Sequence, residues 1–173
     1  MRDVIIRPQT RDDEAEVEEV NRRAFGRQDE ARLVARLQCA REASISLVAE
    51  RDGRVVGHIL FSPVNVEGLP DDLRAVGLAP MAVLPEHQRQ GIGGRLVEAG
   101  LAACRQAGFA AVVVLGHPDY YPRFGFVPAS TWRLRCAYDA PDEAFMVLEL
   151  RAGALSGVSG LVRYSPAFVD LET

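Results

Sequence analysis

The chain is 173 residues long with a net charge of −4, a length that fits one domain and a balance that argues against a general nucleic-acid surface, which needs a clustered basic face. Some 48% of its residues are apolar, enough for one sizeable core, yet no run approaches the roughly 18 uninterrupted apolar residues that cross a bilayer. There is no lysine, so all 20 basic side chains are arginines, which excludes Schiff-base and Ser-x-x-Lys nucleophile chemistry.

Residues 1–8 lack the apolar segment of a signal peptide, and the expectation is a soluble cytoplasmic protein. Residues 4–7 are short and β-branched, an expected edge strand. After Thr10, the acids Asp12, Asp13 and Glu14 favour a helix start, where they complement the dipole. Val17, Val20, Ala24 and Phe25 share the apolar face of that helix, and Gly26 stops it. A second helix runs from Asp29 through Leu33, Val34, Leu37 and Cys39. Residues 44–50 and 54–66 read as strands joined by Asp52-Gly53, a two-residue hairpin signal. A turn at 68–72 leads to a central strand over 75–83, in which Pro80 removes one ladder donor.

Residues 92–107 form a helix with Leu96, Ala99, Ala103 and Cys104 inward, closed by Gly108. The continuous apolar run 110–115 reads as a strand buried on both faces, and 145–150 alternates as a further strand. Segment 151–173 is rich in β formers and is expected as a folded C-terminal strand or arm beside a core at about 3–150, the whole of 1–173 making one domain. Three cysteines (39, 104, 136) and three histidines (58, 87, 117) are scattered without C-x-x-C spacing, so no metal is expected. Cys39 and Cys104 read as small buried hydrophobes.

Between the central strand and the third helix lies Gln88-Arg89-Gln90-Gly91-Ile92-Gly93-Gly94-Arg95-Leu96. A glycine-rich turn opening a helix leaves backbone N–H groups unpaired at the positive end of the dipole, a site for phosphate or pyrophosphate. It is not a dinucleotide fingerprint, because Leu96 stands where G-x-G-x-x-G has its last glycine. Nor is it a Walker A loop, which needs lysine. A tight turn without a ligand is the plain alternative.

The pattern that fits is Q/R-x-x-G-x-G/A, with Gln88, Gly91 and Gly93 at its defining positions. It resembles the acyl-coenzyme A pyrophosphate motif of the GNAT N-acetyltransferases. The run from Val112 to Phe126, with Tyr120-Tyr121-Pro122-Arg123-Phe124-Gly125-Phe126, is similar to the family's fifth strand, short fourth helix and closing Gly-Phe. That run and Gly57-His58-Ile59-Leu60-Phe61-Ser62-Pro63-Val64 are similar to the YhbS-like subgroup. The resemblance extends from near Val4 to at least Leu150.

The resemblance implies a GNAT fold of the α/β (α+β) class: a central mixed six- to seven-stranded sheet flanked by helices, its fourth and fifth strands splayed to hold acyl-CoA. It implies acetyl-CoA as co-substrate and no metal. The pyrophosphate would lie on the amides of Arg89, Gln90, Gly91, Ile92, Gly93 and Gly94, and the pantetheine arm along Met81, Ala82 and Val83. The side chains of Arg89 and Arg95 either add charge there or face water. Tyr121 matches the family's general acid, with Tyr120 as the neighbouring alternative. No glutamate on 75–83 matches the family's base, so the base stays open among Glu50, His58 and His117, and His58 reads equally as a satisfied core histidine.

The activity implied is transfer of acetyl to a primary amine in a direct ternary complex. A non-catalytic acyl-CoA sensor or interaction domain on the same scaffold is the other reading. The acceptor, a small-molecule or peptide amine, is not specified; in this family the first two helices, with the loop 26–28 between them, commonly border its side, and their charged faces read equally as plain solvated surface. A homodimer through the C-terminal strands would be usual for the fold.

Overall fold

The computed structural model describes residues 3–171. In chain order these form β1 (Ile5–Pro8), α1 (Glu14–Phe25), α2 (Asp29–Cys39), β2 (Ile45–Arg51), β3 (Arg54–Val66), β4 (Ala75–Val83), α3 (Ile92–Gln106), β5 (Ala111–Leu115), β6 (Val127–Pro128), β7 (Leu134–Cys136), β8 (Phe145–Glu149) and β9 (Gly160–Arg163), with short 3-10 turns between them. The β2–β3 hairpin turns on Asp52 and Gly53 at φ 55° and 75°, the doubly left-handed turn whose twist suits paired strands. Around it the sheet runs β1-β2-β3-β4-β5-β8-β6 and is antiparallel except between β4 and β5. β1 is the expected edge. The C-terminal segment returns to the sheet: β9 pairs parallel with β7 and antiparallel with Asn65 and Val66 at the end of β3. Among the described residues no helix is long and apolar enough to cross a membrane.

Parallel pairing of β4 with β5 covers only Ala75–Gly77 against Ala111–Val113. Beyond that the strands part. Against β3, the register of β4 shifts between Ile59↔Met81 and Phe61↔Leu78, so Ala79 and Pro80 are skipped. Pro80 has no N–H to give to the ladder, and a bulge there re-aims the strand. The sequence expectation of splayed fourth and fifth strands is met at this position.

Successive strand residues face opposite sides of a sheet, and β3 assigns the helices accordingly. Gly57 packs under Leu96 of α3, while the next residue, His58, meets Asn21 of α1. Helix α3 thus covers one face and α1 with α2 the other. On the α3 side, Gly100 leaves room for the ring of Phe61, which a Cβ at that glycine would overlap. The helix starts at Glu14 because Asp13 accepts from the backbone N–H and hydroxyl of Thr10 and from both Nη atoms of Arg7. The Arg7 guanidinium holds the Asp13 carboxyl well below the usual carboxylate range.

Three expected burial assignments are corrected. Cys39 is exposed: two residues past buried Leu37, it is turned about 200° around the helix axis, away from the core. Phe25 ends α1 40% exposed, while Val17, Val20 and Asn21 carry the buried stripe. In α3 the buried stripe is Ile92, Leu96, Val97, Gly100, Leu101 and Cys104, with Ala99 and Ala103 only half-buried at its flank.

Beneath α1 lies a buried polar chain. Asn21 Nδ2 donates to Val17 O (3.0 Å) and to His58 Nδ1 (3.2 Å), which leaves Nε2 of His58 to donate to Ser46 Oγ (2.9 Å). Ser46 donates on to Gln9 Oε1, which also accepts from Gln38 of α2. His58 has no exposed surface, and burial pushes its pKa down to about 3 from 6.5.

Two predictions follow from this packing. Gly100→Ala gains helix propensity of about 1 kcal/mol but overpacks Phe61 at a cost of about 1–3 kcal/mol. Urea unfolding should show net destabilisation of about 1 kcal/mol; a stabilised variant would mean that the Phe61 ring yields freely. For His58, the unfolded chain binds a proton near pH 6.5 and the folded chain only near 3. Stability is therefore complete above about pH 6.5 and falls as the pH drops toward 3, by at most about 1.4 kcal/mol per pH unit. Denaturant titrations between pH 6 and 4.5 should show that slope in the native protein and its loss in His58→Gln.

Candidate active site

Where β4 and β5 part, a cleft of about 930 Å³ passes through the sheet from the α3 face to the α1/α2 face. Its wall on one side is β4 from Leu78 to Val83; on the other are Leu115 and Gly116 at the end of β5 and the turn that follows. The loop 88–94 and the start of α3 close one end, and Ala24, Phe25, Glu30 and Leu33 line the other.

The loop is held by its own side chains. Gln88 Nε2 donates to Val83 O (2.9 Å), folding the loop back on the end of β4. Arg51, from the β2 end of the hairpin, donates to Gln90 Oε1 (2.8 Å) and to His87 Nδ1 (3.1 Å). Arg89 and Gly91 stand at positive φ, 61° and 82°, an alternation of backbone conformations of the kind that forms anion-binding concavities. Helix α3 has no side-chain cap at Gly91. Its first bond is Arg95 N–H to Gly91 O (3.1 Å), so the preceding amides carry the unpaired donors of a helix N-terminus. Gly93 faces the cleft so closely that a Cβ would lie 3.1 Å from the Tyr120 hydroxyl and 3.5 Å from Met81 Cε.

Tyr121 lies at the waist of the cleft, 7% exposed. Its ring packs on Gly116, where a Cβ would come within 2.6 Å of Cε2, and makes edge contacts with Phe126 and Tyr120. Burial pushes its phenol up to about 12. Tyr120 is nearer the loop: its hydroxyl faces Gly93, and the Arg123 guanidinium lies 4.6 Å from its ring centre. Burial raises its pKa as well.

Most of the expected site residues converge. Met81, Ala82, Val83, Gln88, Arg89, Gly91, Ile92, Gly93, Gly94, Tyr121 and His117 all line the cleft. Gln90 does not; its amide is spent on Arg51 and Glu86. Two of the three base candidates also lie elsewhere. Glu50, in β2, accepts from Arg7 Nε at 2.7 Å, and His58 is enclosed in the chain of hydrogen bonds under α1. His117 alone of the three reaches the cleft, in the turn whose carbonyl accepts from Tyr120 N–H at 3.1 Å. From sequence the resemblance puts the acceptor side at the first two helices and the loop 26–28 but does not single out Glu30, and Phe25 reads as core.

The chain matches the Acetyltransferase (GNAT) family over residues 12–126. It is 41% identical over 166 residues to the uncharacterized N-acetyltransferase YhbS of Escherichia coli (strain K12), covering 95% of this chain and 98% of that protein. The chain belongs to the GNAT acetyltransferase family. YjhQ of the same strain, also named an uncharacterized N-acetyltransferase, is 46% identical over 135 residues, 76% of this chain and 74% of its own. Among solved GNAT structures, E. coli YhbS in complex with CoA superposes with a TM-score of 0.92 at 40% identity, covering 97% of this chain and 93% of that one. A GNAT acetyltransferase of Brucella melitensis in complex with acetyl-CoA gives 0.80 at 36%, covering 97% and 99%. The GNAT match spans α1 through Phe126 and so contains the whole cleft.

Proposed function

We propose that this protein transfers an acetyl group from acetyl-CoA to a primary amine held in the same complex. The observation that carries the reading is the cleft itself: one passage through the sheet joins an anion-binding helix N-terminus to a second opening on the opposite face. Family membership and the CoA-bound relatives support acetyl-CoA as the donor, and a cytoplasmic location belongs to the same reading.

The amides at the start of α3 would take the pyrophosphate, with the Arg89 side chain beside them. Gly91 and Gly93 matter there for different reasons: the first holds a φ of 82°, the second leaves room for the ligand. The edge of β4 that β5 abandons after Gly77 has backbone groups to offer, and an amide chain such as pantetheine pairs with such an edge as a strand would. An N–H of Met81 or Ala82 would stabilise the charge that grows on the thioester oxygen.

The amine nitrogen bonds to the acetyl carbon while the carbon–sulfur bond breaks. His117 takes the proton from nitrogen, and Tyr121 gives one to sulfur. A free thiol has a pKa of about 8.5, far below that of Tyr121, but the comparison changes without water. Burial raises the pKa of Cys104, a thiol in this protein's own core, and it would act in the same direction on a thiolate in the cleft. Proton transfer from Tyr121 to that thiolate is then less uphill than in water.

Isothermal titration with acetyl-CoA should give saturable binding that Gly91→Glu/Gly93→Glu abolishes while circular dichroism stays native; no binding by the native protein would remove the reading. Tyr121→Phe should lower kcat by about 10²-fold or more and leave acetyl-CoA affinity within about twofold. Undiminished turnover in that variant would assign the acid elsewhere.

A further inference from the structure

The end of the cleft away from the loop has a chemistry of its own. Phe25 and Leu115, 40% and 43% exposed, are among the few large hydrophobics left at the surface of the described residues, and both line the cleft. They come from different elements, the last residue of α1 and the last of β5. Each strand or helix ends by leaving an apolar side chain uncovered at the same opening. Leu33 of α2 continues that apolar lining inward.

Set into this apolar end is one carboxylate. Glu30 is only 5% exposed and lines the cleft. Arg27, on the loop between α1 and α2, donates to it through Nε (3.0 and 3.2 Å) and Nη2, while half of the Arg27 side chain stays in solvent. The guanidinium therefore grips the carboxylate from outside and fixes its rotamer. A carboxylate accepts about four hydrogen bonds, so the clasp leaves acceptor capacity toward the cleft. The arginines that line the cleft, Arg89 and Arg123, belong to the loop and to the turn beside Tyr120 at the other end. Glu98 of α3 lies at that end as well, near enough to Tyr120 to raise its pKa. Among the described residues that line the cleft, no arginine other than Arg89 and Arg123 occurs.

We propose that this end selects an amine that arrives as a cation on an apolar body, with Glu30 as its counter-charge and Phe25 and Leu115 as the walls for its carbon skeleton. This rests on the acetyltransferase reading for the direction of the cleft. The ammonium docks on Glu30 and gives one proton to water as the nitrogen advances to the thioester, where His117 takes a second as the nitrogen–carbon bond forms and Tyr121 protonates the departing sulfur. An acceptor carrying a carboxylate beside its amine would set that anion against Glu30 and is excluded. A small amine without a carbon body leaves Phe25 and Leu115 in water and gains little from them.

Three probes separate the two parts of the site: 2-phenylethylamine, its uncharged counterpart 2-phenylethanol, and methylamine. Each is titrated calorimetrically into the CoA-loaded protein at millimolar concentration. 2-Phenylethylamine should bind saturably, and the other two at least about tenfold more weakly. Glu30→Gln should weaken 2-phenylethylamine by about tenfold or more and leave 2-phenylethanol unchanged, whereas Phe25→Ala should weaken both aromatic probes. If Glu30→Gln does not fold, Arg27→Met tests the same charge from the other side: removing the competing cation should tighten the amine severalfold and leave the alcohol alone. Equal affinity for amine and alcohol in the native protein, or absence of saturable binding by 2-phenylethylamine, overturns the proposal. Release of free thiol from acetyl-CoA is read separately with the same amine. Charge-patterned binding without thiol release removes the acetyltransferase reading and keeps the cation site, while thiol release with unpatterned binding does the reverse.

Discussion

Everything functional in this molecule depends on two neighbouring strands that pair at one end and not at the other. β4 and β5 share three paired positions before they part, and the separation is enforced from both sides. β5 stays in register with β8 along its whole length, from Ala111↔Glu149 to Leu115↔Phe145, so it cannot follow β4. β4 is drawn off by its bulge against β3 at Ala79 and Pro80. Backbone groups inside a protein need partners, so the edge exposed by this divergence is poised to receive an extended ligand rather than to close on itself. Because the β4–β5 connection is a parallel crossover, it requires a helix, and that helix, α3, begins at the wide end of the gap. The polar edge and the anion-binding terminus are thus two consequences of one topological fact.

The walls of the gap are held by unlike means on the two faces. Against α3 the contact is steric: glycines at 57 and 100 let Leu96 and Phe61 interlock, bringing helix and sheet close. Against α1 it is polar, through buried Asn21 and His58 and half-buried Ser46. Such a chain specifies one arrangement strongly, since breaking it strands a buried donor or acceptor. Charged clasps then tie the helices to the loop. Arg51 reaches His87 and Gln90, and Arg23 of α1 grips both oxygens of Glu86 just before the loop. Exposed pairs of this sort add little stability; their value lies in setting where the loop stands relative to α1, and hence where one end of the cleft stands relative to the other.

Burial also gives the cleft its chemical character. Tyr121 is enclosed by Gly116, Phe126 and Tyr120, and its proton is held more tightly than a free phenol's because the charged form has lost water. The same loss acts on any anion formed beside it. At the α1/α2 end the balance is different: there a carboxylate is retained at low exposure because Arg27 supplies its partner.

Local pattern carried much of this protein into view. The hairpin at Asp52-Gly53, the two-faced burial of residues 111–114, the α3 start at Gly91 and the glycine-rich loop before it all depend on interactions between residues close in the chain, so periodicity and glycine placement reveal them. The GNAT motifs at Gln88–Gly94 and Tyr120–Phe126 are local for the same reason, and they located one end of the cleft and its waist. At the other end the resemblance pointed to the loop 26–28, but the side chains that line it were not legible. Phe25 and Cys39 were misassigned because helix periodicity says which residues share a face, whereas only packing against a particular partner says which neighbour is left uncovered. Glu50, His58 and His117 were equivalent as sequence, and pairing across dozens of residues with Arg7, Asn21 and Ser46 withdrew the first two from the cleft. Sequence by itself determined the elements, the family and the glycine-rich start of α3, since these rest on short-range geometry. The tertiary structure alone decided which side chains share the cleft with Tyr121, because proximity between distant segments is set by sheet register and helix docking, which no local pattern encodes.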